Sequence, residues 1–149
     1  MRRYWKNPEA TKEALKNGWV FTGDLATVDE RDYIYIVDRA KDMIISGGYN
    51  VYAREVEEVL YSHPAIQEVA VIGVPDDVWG EAVKAIVVLK EGMKAKEDEL
   101  IEHCRRELAS YKKPKSVDFV SELPKSSIGK ILKQPLKEKY WQGYDRRVH

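Results

Sequence analysis

A lysine that directly follows a glycine on a serine-rich turn can serve as a fixed positive charge. The segment SELPKSSIGKILK at 121–133 holds such a lysine, Lys130. Ser126, Ser127 and Gly129 let the backbone turn tightly, and the ammonium could be aimed at an anionic reaction centre. Lysine is also an ordinary solvated loop cation, so this segment alone does not assign a role. Two further stretches carry signals of the same weight. TGDL at 22–25 places Asp24 in an extended run. There its carboxylate could accept hydrogen bonds from vicinal hydroxyls, or simply complete a bulge. SGGYN at 46–50 sets Gly47 beside Gly48. That pair permits a close approach by backbone or ligand, or only a tight turn between strand and helix. SSIGK lacks the first glycine and the spacing of a phosphate-binding Walker loop.

The elements that must position these residues read as follows. PEATKEALK at 8–16 is a short helix with Pro8 near its start, closed by Asn17-Gly18. WVFTGDLATV and DYIYIV are two extended, β-rich runs around DERD, which predicts a hairpin. An isolated hairpin is marginal in water, so these strands are expected to belong to a larger sheet. MIIS is a short strand, and NVYAREVEEVLYSHP a helix with Ala53, Val56, Val59 and Leu60 on one face. EVAVIGV and AVKAIVVLK are strands, KEDELIEHCRRELASYKKP a helix, VDFV a strand and ILKQPLKEKYW a helix broken or begun at Pro135. The order β, α, β, β, α, β, α from residue 43 predicts a small α+β domain, its short sheet flanked by helices on one or both sides.

Bulk composition narrows the classes. Among 149 residues, 25 Lys and Arg balance 25 Asp and Glu. Nothing in that balance suggests a nucleic-acid footprint, which would need a clustered positive excess. KKPK at 112–115 reads as a solvated basic loop. Cys104 is the one cysteine, so no intramolecular disulfide can form, and its place on an apolar helical stripe predicts a buried thiol. His63 is expected at a helix end rather than on a metal, and no metal site is expected elsewhere. No stretch approaches the ~20 apolar residues of a membrane span, and the first residues lack a signal-peptide core. A cytoplasmic location is the expectation.

Four stretches, taken in order, resemble the C-terminal part of the adenylate-forming (AMP-binding) superfamily. They are GWVFTGDLA, DRAKDMIISGGYNVYAREVEEVL, AVIGVPDDVWGEAVKAIVVL and LPKSSIGKILK. The resemblance covers nearly the whole chain. SGGYNVY followed by EVEEVL is most similar to acyl-CoA synthetases acting on fatty or aryl acids. The lid of an amino-acid adenylation domain is a weaker alternative. A second is a stand-alone lid-like module that binds a partner protein without chemistry.

The resemblance implies two half-reactions. A carboxylate attacks the α-phosphate of Mg-ATP to give acyl-AMP and pyrophosphate, and CoA then displaces AMP. It implies that Lys130 bridges acid and phosphate oxygens, that Asp24 holds the ribose hydroxyls, and that Arg39 supports the same region. Lys41 matches the hinge about which the small domain turns between the steps. Gly47, Gly48 and Tyr49 would line the CoA channel. Residues 1–38 would then be a helix-and-hairpin stub of a large N-terminal domain, and 39–149 the C-terminal lid. The acid pocket, the phosphate loop and the magnesium ligand would lie in that large domain. The exposed strands of the stub could drive homodimerisation.

Overall fold

The computed structural model describes residues 1–144. It divides into two compact units, Met1–Lys41 and the chain from Asp42 onward.

In the first unit, α1 (Pro8–Ala14) starts on the Asn7 side chain, which accepts from the Ala10 amide at 3.0 Å, with Pro8 in the first turn. β1 (Leu15–Lys16) and β2 (Trp19–Val20) form a minimal hairpin around Asn17 and Gly18, both at positive φ. β3 (Asp24–Val28) pairs antiparallel with β4 (Ile34–Arg39). The expected single strand WVFTGDLATV is thus two strands. Gly23, at φ +78°, breaks the run, and Trp19–Val20 turns back onto Leu15–Lys16 instead. The DERD turn is organised by Asp29, whose Oδ1 accepts from the Arg31 and Tyr33 amides at 2.8 and 3.0 Å. The Tyr33 amide, more than any other group, holds the Asp29 carboxyl below its usual range. Tyr33, Ile34, Tyr35, Ile36 and Val28 are all exposed, so this two-stranded sheet shows a broad apolar surface.

The second unit is built on five strands. β5 (Ile44–Ser46) and β6 (Tyr49–Val51) form a hairpin, and β8 (Gly80–Leu89) lies between β5 and β7 (Ile66–Asp76). β9 (Ser116–Phe119) joins β8 in parallel, and the other pairings are antiparallel. The sequence reading lacked β6. Its three residues are separated from α2 (Ala53–Tyr61) by Tyr52 alone and carry no alternation long enough to separate from the helix pattern. SGGYN therefore joins two strands, not a strand to a helix.

β7 and β8 read as continuous apolar runs because both faces of the sheet are covered. Val69, Val71, Val83, Ala85 and Val87 face α2 and α3 (Glu97–Glu107), packing with Val56, Leu60, Leu100 and Cys104. Ala70, Ile72, Ile86 and Val88 face the other way, against Leu123, Ile131 and the Leu136 and Tyr140 side chains of α4 (Lys133–Trp141). Alternation with period two hands successive residues to opposite cores. Truncating Leu60 or Ile72, each wholly buried, to Ala would cost about 2–5 kcal/mol. Pro135 sits in the first turn of α4, where its missing N–H costs nothing. No helix among the described residues is long and apolar enough to cross a membrane.

Candidate functional site

Asp24 and Arg39 are brought together by register. They face each other across the β3–β4 ladder, with Arg39 Nε 3.4 Å from Asp24 Oδ1. The Asp24 amide donates to Thr22 Oγ1 at 3.2 Å, and the Ala40 amide to Gly23 O at 2.8 Å. The left-handed turn at Gly23 thus fixes the start of β3 against the end of β4. Both side chains stay partly solvated, so the ion pair is worth at most ~1 kcal/mol and leaves the carboxylate open to other donors. Lys41 lies just beyond, in the 3₁₀ turn Ala40–Asp42.

The glycine turn belongs to the second unit. Gly47 and Gly48 have φ of +57° and +83°. Gly47 donates to Trp79 O at 2.9 Å, and a Cβ at Gly47 would lie 2.2 Å from Trp79 Cε3. The indole therefore rests on the bare face of Gly47. Trp79 is itself placed by Asp76, whose Oδ1 accepts from the Val78 and Trp79 amides at 3.0 and 2.9 Å. Asp76 Oδ2 accepts from Lys115 Nζ at 3.0 Å, and that ammonium lies 5.2 Å from the centroid of the Trp79 ring. The Trp79 amide first, and then Lys115, hold the Asp76 carboxyl below its usual range. Tyr49, next to Gly48, stacks on Tyr111 with ring centroids 4.7 Å apart. Together Ser46, Tyr49, Trp79, Tyr111, Lys113 and Lys115 line most of a groove of about 390 Å³. Aromatic faces beside lysines suit a ligand that combines a planar ring with anionic groups.

KKPK is accordingly not the solvated loop its composition predicts. Pro114 is fully buried, Lys112 Nζ contacts both Glu55 carboxylate oxygens at 2.7 and 2.8 Å, and Lys113 and Lys115 face the groove. Trp79, Tyr111, Lys113 and Lys115 were missed as site residues. The available signal was the Asx turn in PDDVWG, which aims a tryptophan where a solvated turn would not need one.

Lys130 does not line this groove. It stands exposed on a small hairpin of its own, closed by a Lys125–Ile131 bridge. Ser126 donates to Lys130 O at 2.8 Å, and the Lys130 amide donates to Ser126 Oγ at 3.2 Å. Gly129, at φ +78°, makes the turn, and the Leu132 amide donates to Pro124 O at 2.8 Å. Lys125 is held by Glu68, and Leu123 is buried under the sheet. The backbone is braced while the Lys130 side chain remains open.

Two other polar groups have structural explanations. Cys104 is buried in the core, and burial pushes its thiol up to about 11, so it is no nucleophile. His63 lies just past α2, its ring edge against His103 with centroids 5.3 Å apart and its Nε2 3.3 Å from Glu99 Oε1. Among the described residues no group of three or more His, Cys, Asp or Glu could hold a metal ion.

A two-sided lid-like α+β unit with a braced lysine hairpin and an aromatic, lysine-lined groove places the chain in a known class. The AMP-binding enzyme C-terminal domain matches residues 55–130, and the chain belongs to that family. It is 56% identical over 138 residues to the long-chain-fatty-acid–CoA ligase of Bacillus subtilis (strain 168), an alignment spanning 93% of this chain and 25% of that protein. It is 51% identical over 140 residues to the feruloyl-CoA synthase of an Amycolatopsis species, spanning 94% of this chain and 28% of that protein. ATP-bound MatB from Rhodopseudomonas palustris superposes with a TM-score of 0.84 at 40% identity, over 97% of this chain and 29% of that one. The chain thus spans about a quarter of the length of these curated relatives.

Proposed function

We propose that this chain is the C-terminal lid of an ATP-dependent acid–CoA ligase, most suited to fatty acids, in which Lys130 serves acyl-AMP formation and the Gly47–Trp79 groove serves CoA. The observation that carries the reading is the Lys130 hairpin. A turn braced by three backbone hydrogen bonds and a buried leucine holds out one exposed ammonium. Formation of acyl-AMP brings a carboxylate against a triphosphate, and a preorganised cation there lowers the barrier by several kcal/mol. Asp24 would accept from the ribose hydroxyls of ATP, with Arg39 beside it. Lys41 would be the hinge, a short turn able to absorb a large backbone change.

The same reading gives the groove its substrate. CoA offers a purine, phosphates and a thin pantetheine arm. The aromatic rings would suit the purine and Lys113 and Lys115 the phosphates, while the side-chain-free Gly47–Gly48 turn, which links the lining residues Ser46 and Tyr49, would leave room for the arm. Residues 1–38 would then be part of a large N-terminal domain and 39–149 the lid. The acid pocket and the magnesium that accompanies ATP would belong to the large domain. The lid alone would not make acyl-AMP, and the complete enzyme would work in the cytoplasm. Fatty acid is favoured because relatives at 56% and 51% identity are long-chain-fatty-acid–CoA ligases.

The test is product analysis of the full-length ligase carrying this chain, given Mg-ATP, CoA and a panel of fatty and aryl acids. AMP, pyrophosphate and a CoA thioester in equal amounts are expected. Production of ADP, or consumption of ATP without any thioester, would overturn the reading.

A further inference from the structure

α4 follows the Lys130 hairpin by two residues and buries a lysine. Lys137 is 6% exposed. A buried ammonium is costly unless anionic or polar atoms surround it. Its Nζ lies 3.5 Å from Oδ1 of Asp42, which is the first residue of the second unit and immediately follows Lys41. One turn earlier, Lys133 Nζ is 2.7 Å from Glu57 Oε1, an oxygen that also accepts from the Val71 amide at 2.7 Å. The far end of α4 is pinned separately. Tyr140 donates to Asp118, whose other oxygen is 2.8 Å from Lys84 Nζ, and Trp141 Nε1 donates to Gly73 O at 3.0 Å. The Lys137–Asp42 contact therefore ties the start of the second unit to α4, and the backbone leads from the first turn of α4 through Leu132 to Lys130.

We infer that Asp42 and Lys137 act as a pair of positioning residues that lock the start of the second unit to the helix carrying the Lys130 hairpin. Backbone rotation is then confined to the residues before Asp42, and Lys130 follows it as part of one rigid body. Without the pair, a turn at Lys41 is partly absorbed by slack between Asp42 and α4, and Lys130 arrives misplaced. A displacement of about 1 Å from remote loosening is enough to slow a positioned reaction strongly. This inference rests on the proposed roles of Lys41 and Lys130.

The test uses Asp42→Asn and Lys137→Met, singly and together, with Lys137→Arg and Tyr140→Phe for comparison. In the full-length ligase each single variant should lower the adenylation kcat by on the order of tenfold, with KM for ATP and acid within about twofold. The double variant should be no worse than either single one, because both remove the same link. Lys137→Arg should restore most of the rate. Tyr140→Phe loosens the other end of α4 and should lower thermal stability while keeping kcat within about twofold. Hydrogen exchange on the 149-residue chain reads the link without any activity. The amides of Lys130 and Leu132 should exchange faster in Asp42→Asn, together with those of 43–45. Additive losses in the double variant, an equal kcat loss in Tyr140→Phe, or unchanged exchange at Lys130 and Leu132 would each overturn the inference. Should Lys130→Ala spare adenylation, the functional reading falls, while the exchange experiment still decides the link.

Discussion

Gly47 and Gly48 are adjacent, both at positive φ, and differ in one respect that a pair of substitutions can isolate. An Ala at either position must adopt the left-handed region, which costs about 1 kcal/mol. At Gly48 nothing lies within 4 Å of the new methyl, so that strain is the whole effect. At Gly47 the methyl would stand 2.2 and 2.7 Å from Trp79 Cε3 and Cζ3, well inside contact distance. The indole, about half exposed, must swing away and give up its packing on the turn. Overpacking of this kind adds about 1–3 kcal/mol. Gly48→Ala should therefore cost about 1 kcal/mol in urea unfolding, and Gly47→Ala about 2–4 kcal/mol. The excess should vanish when Trp79 is removed. In a cycle with Trp79→Ala, the added cost of Gly47→Ala should fall back to about the strain alone, near 1 kcal/mol. On the proposed function, Gly47→Ala in the full-length ligase should also raise the KM for CoA more than Gly48→Ala does. Equal stability losses for the two glycines, or an excess at Gly47 that survives Trp79→Ala, would refute the packing argument.

Other expectations follow from the same geometry. Asp76→Ala removes the acceptor of the Val78 and Trp79 amides and the Lys115 pair, and should cost about 1–2 kcal/mol at neutral pH by thermal unfolding. The folded carboxyl titrates below its ordinary value of 3.8, so its stabilisation is complete above that pH and is lost as pH falls through the lower folded value. The gap between wild type and Asp76→Ala should narrow below about pH 3.8, and a gap constant down to pH 2 would contradict this. Cys104 should resist a thiol reagent in the native chain and react on unfolding in denaturant, whereas fast native labelling would place it outside the core. The exposed apolar face of β3 and β4 should drive concentration-dependent association of the chain in light scattering, unlike a variant with Ile34 and Ile36 replaced by Thr.

The fold was largely legible because its strongest signals are local. The helix of 53–61 showed its apolar face as a 3.6 period, and the runs EVAVIGV and AVKAIVVLK were long enough to be strands however they paired. What escaped depended on partners distant in sequence or on single glycines. Gly23 splits one apparent strand into two because a left-handed residue ends the ladder, and β6 hides in the three residues Tyr49–Val51, one residue short of α2. The glycine turn and the Lys130 turn were visible as Ser-Gly chemistry in short segments. The groove was not, since nothing local in KKPK says that Lys115 folds over a tryptophan 36 residues earlier and pairs with Asp76. Composition made those lysines solvent, and tertiary structure made them a wall. Lys137 escaped for the same reason, because its ion-pair partner Asp42 lies 95 residues earlier.

The central claim is that this lid presents Lys130 to the first half-reaction and the groove to the second. The measurement that tests it most directly is the rate of each half-reaction in the full-length ligase with Lys130→Ala. Acyl-AMP formation is followed by pyrophosphate exchange, and CoA transfer is followed from supplied acyl-AMP. The account predicts a loss of about 100-fold or more in the first, as for removal of a preorganised charge, with the second within a few-fold of wild type. Equal rates for variant and wild type in both assays would return Lys130 to the solvent and contradict the account.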